Sequence, residues 1–380
     1  MEMKNISGSS IEIYIHIPFC VKKCDYCDFL SAPSGLEVQT AYIQSLLREI
    51  DAVKEGKGRS VSSVFIGGGT PSVLDERFIG EILNKIKNKF PILDDAEITI
   101  EVNPGTADRR KFESYREYGI NRLSIGLQSP DDRELEMLGR IHNYRQFLET
   151  YKTAREAGFD NINIDLMSAI PDQSYEGWIS NLRTVAELKP EHISAYSLII
   201  EEGTPFATRK LNLPDEDTEY NMYEATAQIL REYGFEQYEI SNYAKKGMEC
   251  RHNIGYWIRQ DYLGFGLGAS SLYGKERFTN TRDMKIYLAD SRNPEKIREK
   301  EPILTREDEM AEFMFLGLRM TDGISKADFE QRFGCVIESV YGDVLRKYKS
   351  MDLLLEREGR IFLSRKGIHV SNSVMAEFLL

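Results

Sequence analysis

The sequence predicts an α/β protein: a partial barrel of six strand–helix units, (β/α)6, followed by a C-terminal winged-helix-like α+β module. Two observations predict the barrel. Short β-rich runs alternate with helix-like stretches, and several of these runs place apolar residues on one face and polar residues on the other. A third observation, helices followed by a small hairpin after about residue 300, predicts the module.

The six strand-like runs define the barrel units. Strand, helix and strand in repeated order favour parallel pairing with right-handed crossovers. Six such units suit a partial barrel or a doubly wound sheet. The predicted strands are "IEIYIHIP" (11–18), "SSVFIGGG" (62–69), "EITIEVNP" (97–104), "RLSIGLQS" (122–129), "NINIDLMS" (161–168) and "HISAYSLI" (192–199).

A repeated segment supports one building unit. The stretches "YREYGINRLSI", "AREAGFDNINI" and "LREYGFEQYEI" share an Arg-Glu pair, then Gly119, Gly158 or Gly234, then a strand. Glycine suits the position just after a helix, because that position takes the left-handed conformation. The alternative is that this is merely a frequent helix ending, but three instances at strand entrances favour a repeat.

The alternation of apolar and polar residues within the strands distinguishes a barrel from a sheet that helices cover on both faces. In "IEIYIHI" the isoleucines share one face, and Glu12, Tyr14 and His16 share the other; "EITIEV", "LSIGLQ" and "NINIDL" alternate in the same way. A parallel sheet covered by helices on both faces is nearly all apolar. The alternation therefore predicts a barrel whose interior holds a polar ligand.

Polar residues at the carboxyl ends of the strands are candidates for that ligand site. Glu101, Gln128 and Asp165 would line the mouth, where barrel active sites lie. Any one of them could instead be a structural polar group paired within the fold. The repetition from strand to strand favours a site.

Composition excludes several classes of protein. The 380 residues carry a formal net charge of -12, so nucleic acid is a poor partner. The first 19 residues lack the features of a signal peptide, and no run of about 18 apolar residues predicts a transmembrane segment. Five cysteines, three of them clustered, indicate a metal site in a reduced, cytoplasmic protein and not a disulfide framework.

The clustered cysteines, Cys20, Cys24 and Cys27, have the spacing C-x3-C-x2-C. Zinc would need a fourth ligand, which His16 could supply, but the distant second cysteine pair of a structural zinc site is missing. A [4Fe–4S] cluster normally takes four thiolates. With three, one iron stays open to a substrate or a cofactor.

This motif at the end of a first barrel strand resembles the radical S-adenosylmethionine (SAM) superfamily. There, the open iron binds the amino and carboxylate groups of SAM, and a low-potential cluster supplies one electron. "GGGTP" (67–71) ends the second strand, as the glycine motif of that superfamily does. The resemblance implies a [4Fe–4S] cluster on the three cysteines and SAM as a cofactor.

A finer resemblance extends over most of the chain. "YIHIPFCVKKCDYCDF", "GGGTP", "EVNP", "LSIGLQS", "NIDLMSAIP" and "SAYSL" occur in the order seen in oxygen-independent coproporphyrinogen III oxidases and the related HemW haem chaperones. The resemblance implies SAM contacts from ten residues, three of which the alternation had already selected. They are Tyr14, Tyr26, Gly68, Gly69, Thr70, Glu101, Gln128, Arg140, Asp165 and Ala195.

Two departures separate the members of this family. The oxidases carry a further cysteine two residues after the third and have a longer N-terminal arm. Here that position is Phe29, and 19 residues precede Cys20. Both departures favour a haem chaperone, which would deliver haem to an acceptor haem protein in solution or at a membrane. The alternative is an oxidase that makes protoporphyrinogen IX by radical decarboxylation.

The segment "CRHNIGYW" (250–257) resembles a motif associated with haem in the chaperones. The resemblance implies haem as cargo, with His252 as an axial ligand and Tyr256 and Trp257 stacked on the porphyrin, beside Asn253. Cys250 is a rival ligand, and a structural histidine is the plainer alternative. A third class, a zinc-stabilised α/β protein without SAM, would be recognised by metal analysis.

The predicted organisation has three parts. Residues 1–240 form the radical SAM partial barrel, residues 241–300 form an extension that carries the haem-associated segment, and residues 301–380 form the winged-helix-like domain. In the last part, Thr305 precedes an acidic first turn and predicts a helix start. A Glu-Gly turn in "LLLEREGRIFLS" predicts a hairpin. The acidic net charge argues against DNA binding by this domain.

Overall fold

The computed structural model describes residues 10–380. The first nine residues of the predicted barrel domain lie outside the described residues. They include the start of the segment that was predicted not to be a signal peptide. Six parallel strands follow in chain order at the centre of the sheet. They are β1 (Ser10–Ile17), β2 (Ser60–Gly68), β3 (Ile92–Val102), β4 (Arg122–Gln128), β5 (Ile162–Ser168) and β6 (His192–Ser197).

Helices connect these strands and cover the apolar face of the sheet. Side chains cap several helix starts; Asn143, for example, forms a reciprocal capping box with Gln146. The helices are α1 (Leu36–Ala52), α2 (Glu76–Lys89), α3 (Arg109–Glu117), α4 (Asp132–Met137), α5 (Tyr144–Glu156), α6 (Tyr175–Ala186) and α7 (Glu216–Glu232).

The predicted repeat is present in the structure. Gly119, Gly158 and Gly234 follow the ends of α3, α5 and α7, with φ values of 92°, 89° and 82°. A side chain is disfavoured at such φ values, so the sequence marks these helix ends with glycine.

The segment 235–300 extends the same sheet at both edges. Its elements are β7 (Glu236–Glu239), β8 (Asn242–Ala244), α8 (Arg251–Trp257), β9 (Tyr262–Phe265), β10 (Ser270–Tyr273), β11 (Glu276–Asn280), α9 (Met284–Asp290), α10 (Pro294–Ile297) and β12 (Arg298–Lys300). Across residues 10–380 the sheet has twelve strands in the order β12-β11-β10-β9-β1-β2-β3-β4-β5-β6-β8-β7. Because β12 and β7 are its free edges, the barrel is open, as the partial-barrel prediction requires.

The two faces of the central strands differ as the alternation predicts. Ile11, Ile13, Ile15 and Ile17 are 0% exposed and belong to the main hydrophobic core. The opposite face is also withdrawn from water but polar; Thr99, for example, is 0% exposed. The barrel interior is therefore a buried polar space, which suits a polar ligand.

The C-terminal module has its own hydrophobic core, made by residues 310–378. A capping box of Thr305 and Asp308 begins its first helix, and the predicted Glu358-Gly359 turn joins its hairpin with φ positive at both positions. The elements are α11 (Arg306–Gly317), β13 (Ile324–Ser325), α12 (Lys326–Phe333), α13 (Glu338–Ser350), β14 (Leu354–Arg357), β15 (Arg360–Leu363), α14 (Arg365–His369) and α15 (Ser371–Ala376).

None of the helices within residues 10–380 combines the length and the apolar character needed to cross a membrane.

Candidate functional site

The three clustered cysteines lie on one loop that follows β1. The loop is closed at its base, because Cys20 N donates to Ala32 O (3.2 Å) and Ala32 N donates to Pro18 O (3.0 Å). All three thiols are free and partly exposed. The loop therefore presents them together at the carboxyl end of the first strand.

Two side chains from outside this loop, Thr70 after β2 and Arg140 after α4, contact the sulfur atoms. The Thr70 hydroxyl donates to Cys20 Sγ (3.4 Å), and Arg140 Nη1 donates to Cys24 Sγ (3.5 Å). Hydrogen bonds from a hydroxyl and a guanidinium stabilise negative charge on sulfur. The environment of Cys20 and Cys24 thus suits thiolates, the form that binds metal, whereas burial raises the pKa of Cys27.

Glycines of the β2 end make room for the cysteine loop. A Cβ at Gly69 would lie 2.7 Å from Phe19 O and 3.0 Å from Cys20 Sγ, and a Cβ at Gly68 would lie 2.5 Å from the His16 ring. The distances to Phe19 O and to the His16 ring are too short for a Cβ atom, so close packing requires glycine at positions 68 and 69. These two glycines form a cradle on which the cysteine loop packs directly.

The zinc alternative does not fit the geometry. Among residues 10–380, no three His, Cys, Asp or Glu side chains, the three clustered cysteines included, lie close enough to one another to hold a single metal ion. His16 is engaged at both ring nitrogens, with Tyr14 OH at 3.0 Å from Nδ1 and Leu30 O at 2.9 Å from Nε2. Three thiols on a loop beside a glycine cradle fit a cluster better than a single ion.

Two carboxylates face the interior beside the glycines. Glu101 Oε2 accepts from Gly68 N (3.0 Å), and withdrawal from water, together with the nearby charge of Asp165, raises the pKa of Glu101 to about 8. Asp165 accepts from Asn163 Nδ2 (2.7 Å) and from Ser124 Oγ (3.4 Å), and burial raises its pKa too. Two acids with raised pKa values facing one space are typical of a ligand site.

Arg140 connects the cysteine loop to the strand ends. Its Nη2 donates to Asn103 Oδ1 (2.7 Å) and to Gly126 O (2.6 Å), and Asn103 Nδ2 donates to Thr70 Oγ1 (2.7 Å). A chain of hydrogen bonds therefore runs from Cys20 through Thr70, Asn103 and Arg140 to Cys24. Sequence reasoning missed Asn103, although its place two residues after Glu101 at the same strand end could have identified it.

The remaining predicted SAM residues lie on the central strands and on the cysteine loop. Gln128 ends β4 with φ 73° and accepts from the Tyr196 hydroxyl (2.8 Å), a partner that sequence reasoning missed. Ala195 is buried on β6, where its N donates to Ser241 O (2.8 Å). Tyr14 lies on β1 below the cysteine loop, and Tyr26 lies within that loop.

The predicted haem segment forms α8, which lies against the opposite end of the barrel. Glu97 of β3 accepts from the backbone N of Arg251 (3.0 Å) and of His252 (3.1 Å). The close approach of α8 needs Gly255, because a Cβ there would lie 2.1 Å from Glu12 Oε1. The cluster loop and the predicted haem segment therefore occupy opposite ends of the barrel.

His252 is 2% exposed, and both of its ring nitrogens are engaged. Nδ1 lies 2.8 Å from Ser63 Oγ, Nε2 lies 3.1 Å from Tyr256 OH, and the ring stacks on Phe65 at 5.2 Å. Asn253 and Trp257 are half-buried on the same helix. Haem ligation by His252 stays a prediction, and iron would have to displace one of these two hydrogen bonds.

Comparison with known proteins locates the chain in a family. Residues 14–185 match the family model described as Radical SAM superfamily, and residues 304–370 match the HemN C-terminal domain. The protein named Heme chaperone HemW from Lactococcus lactis is 36% identical over 97% of this chain and 97% of its own length. The HemW of Bacillus subtilis is 35% identical over 96% of this chain and 98% of its own.

The chain belongs to the HemW family of radical SAM proteins. Membership implies a [4Fe–4S] cluster and SAM, and the cysteine loop with its glycine cradle fits that pair of cofactors. Among solved structures, the radical SAM coproporphyrinogen III oxidase HemN from Escherichia coli superposes with a TM-score of 0.86 at 24% identity, covering 98% of this chain and 90% of the other. At that identity the match supports the predicted fold alone.

Proposed function

We propose that this HemW-family protein is a haem chaperone, which holds a [4Fe–4S] cluster and SAM at the barrel mouth, binds haem as cargo, and delivers it to a haem protein. The observation that carries the proposal is the similarity to relatives named haem chaperones along nearly the whole of both chains. The oxidase alternative expects a cysteine at the position of Phe29, which is a 63% exposed side chain beside the cluster loop.

In this proposal, residues of the cysteine loop and of the strand ends bind the cofactors. Cys20, Cys24 and Cys27 hold the cluster, which supplies a single electron when it is bound. Thr70 and Arg140 stabilise the thiolates. Arg140 can also donate to a carboxylate, because its Nε has no hydrogen-bond partner within residues 10–380.

The acids are suited to the positive groups of SAM. Glu101 accepts a hydrogen bond from Gly68 N, and both Glu101 and Asp165 have raised pKa values. A cation placed between them would favour their ionised forms and would offset the repulsion between them.

The proposed function is tested by giving the reconstituted protein haem in one assay and coproporphyrinogen III in another. We expect the protein to bind haem, and we expect incubation with coproporphyrinogen III, SAM and a reductant to yield no protoporphyrinogen. Absorbance titration and chromatography of the porphyrins measure the two results. Decarboxylation of coproporphyrinogen III without any haem binding would contradict the chaperone function and support the oxidase function.

A separate variant tests His252 as a ligand of the haem iron. We expect His252→Ala to change the visible spectrum of bound haem or to lower its affinity, because an axial imidazole sets the electronic state of the iron. Tyr256→Phe is the matched control, since it removes one hydrogen bond and keeps the imidazole. Identical spectra and affinities in wild type and His252→Ala would make His252 purely structural.

The raised pKa of Glu101 predicts that SAM binds more tightly as pH rises. Glu101 is largely protonated below its pKa of about 8. Binding of a cation favours the carboxylate, so the site releases a proton and its affinity for SAM increases from pH 6 to pH 8, by up to about tenfold per pH unit. Calorimetry at several pH values measures this slope. Glu101→Gln should flatten it; an equally steep slope in that variant would exclude Glu101 as the titrating group.

A further inference from the structure

A layer of polar side chains crosses the barrel interior next to Asp165. Ser124, Asn163 and His192 are paired neighbours on β4, β5 and β6, and Asp165 lies two residues further along β5. Successive residues of a strand alternate between its faces, so Asn163 and Asp165 point to the same side. Asn163 is 2% exposed and His192 is 1% exposed. We call Ser124, Asn163 and His192 the interior layer.

Hydrogen bonds from the interior layer hold the carboxylate of Asp165. Asn163 Nδ2 donates to Asp165 Oδ1 (2.7 Å) and to Ser124 Oγ (2.8 Å), and Ser124 Oγ donates to Asp165 Oδ2 (3.4 Å). Asn163 Oδ1 accepts from His192 Nδ1 (2.6 Å) and from Ser194 Oγ (3.1 Å). Both ends of the Asn163 amide are therefore engaged, the nitrogen toward Asp165 and the oxygen toward His192.

The second ring nitrogen of His192 extends this chain of hydrogen bonds. His192 Nε2 lies 2.8 Å from the Tyr238 hydroxyl, and that hydroxyl accepts from the backbone N of Cys250 (3.3 Å). A backbone N–H can only donate, and an ionised carboxylate such as that of Asp165 can only accept. The two ends therefore fix each donor between them: Tyr238 OH donates to His192 Nε2, and His192 Nδ1 donates to Asn163.

His192 must be neutral to fill both roles, because a protonated imidazole has no acceptor nitrogen. Burial lowers the pKa of His192 well below its usual value, and the charge of Arg122 lowers it further. Arg122 is itself 2% exposed on β4, so little water screens its charge. The barrel interior thus keeps the imidazole in the neutral form that the chain of hydrogen bonds requires.

The orientation of the Asn163 amide depends on this imidazole. The two ends of an amide are alike in size, so shape alone does not select one orientation. With the amide turned over, its oxygen would face the carboxylate of Asp165, and its nitrogen would face the N–H of His192. Two acceptors and two donors would then oppose each other, and the proton on His192 Nδ1 excludes this arrangement.

We propose that His192 is a positioning residue of the SAM site, which acts through Asn163 to hold Asp165 as an oriented acceptor for a positive group of SAM. The inference rests on the proposed binding of SAM by Asp165 and adds the residues that orient this carboxylate. Linked hydrogen bonds strengthen one another in a medium with little water, so the bond to Asp165 depends on each link behind it.

Two variants of His192 separate a positioning role from a purely structural one. The side-chain nitrogen of asparagine can take the place of Nδ1, whereas that of glutamine can take the place of Nε2. His192→Asn should therefore keep the donor to Asn163, and His192→Gln should lose it. We expect calorimetry on the reconstituted full chain to show SAM binding weakened roughly tenfold in His192→Gln, with most of the affinity retained in His192→Asn. Equal SAM affinity in the two variants would overturn the proposal.

Tyr238→Phe decides the question if His192→Gln fails to fold or to hold the cluster. It removes the hydroxyl that donates to His192 Nε2 and leaves Asn163 and Asp165 unchanged. SAM binding should weaken severalfold, with unchanged absorbance of the cluster. Tyr243→Phe is the matched control, because Tyr243 is 0% exposed on the neighbouring strand β8 and its hydroxyl has no hydrogen-bond partner within residues 10–380. Equal SAM affinity in the two tyrosine variants would contradict the positioning role.

Asp165→Ala, measured in the same series, shows which proposal fails. If Asp165→Ala binds SAM as wild type does, the proposed role of Asp165 is wrong, and the positioning role of His192 is wrong with it. If Asp165→Ala weakens SAM binding while Tyr238→Phe and both His192 variants bind SAM as wild type does, only the positioning role is wrong.

Discussion

Replacing Cys20, Cys24 and Cys27 by alanine is expected to abolish the iron–sulfur cluster completely. These three residues are the thiolates on the loop that the glycine cradle supports, and alanine offers no metal ligand. Iron and sulfide analysis after anaerobic reconstitution should fall from about four of each per chain to the background, as expected for loss of one [4Fe–4S] cluster. SAM binding through the open iron should be lost with it.

The chain supplies a matched control for that experiment. Cys250 and Cys335 are also free, but Cys250 is fully buried against Glu97 and Cys335 lies in the C-terminal module. The double variant Cys250→Ala and Cys335→Ala should keep full iron and sulfide content. A triple variant that retains a complete cluster, or a double variant that loses it, would show that the assigned ligands are wrong.

Removing the interior carboxylates is expected to have the second largest effect. Glu101→Ala and Asp165→Ala should each weaken SAM binding by roughly 30-fold or more, because truncating one partner of a buried charge pair costs about 2–5 kcal/mol. The cluster should survive, since neither residue holds it. Calorimetry on reconstituted protein gives the affinities, and the absorbance of the cluster reports its integrity.

Asp160→Ala is the control for these variants. Asp160 is an exposed acid two residues before the start of β5, whereas Asp165 lies within that strand and faces the interior. The control should bind SAM as wild type does. Unchanged affinity in both Glu101→Ala and Asp165→Ala would mean that the polar interior face does not bind the cofactor.

Much of the fold follows from local patterns. Strict alternation in the central strands placed the isoleucines under the helices and the polar residues inside, because successive side chains of a strand point to opposite faces. Gly119, Gly158 and Gly234 marked helix ends, since each takes a positive φ. The same alternation selected Glu101, Gln128 and Asp165 for the barrel mouth without reference to any family.

Residues whose role depends on a distant partner were not predictable in this way. Asn103 matters because it joins Thr70 to Arg140, and these contacts span 33 and 37 positions of the sequence. Tyr196 reaches Gln128 across 68 positions. No short pattern records such a pairing, because it arises only when neighbouring strands are brought into register.

By itself, the sequence determined the order of the barrel units, the three cysteines on one loop and the polar interior face, because spacing and period are local properties of the chain. Tertiary structure alone decided the setting of His252, which packing encloses between Ser63, Phe65 and Tyr256. It also decided the contact between the barrel and the C-terminal module, where Arg259 and Arg277 both donate to Glu312 of α11. Burial and hydrogen-bond pairing depend on what lies opposite each side chain, and only the assembled fold fixes that.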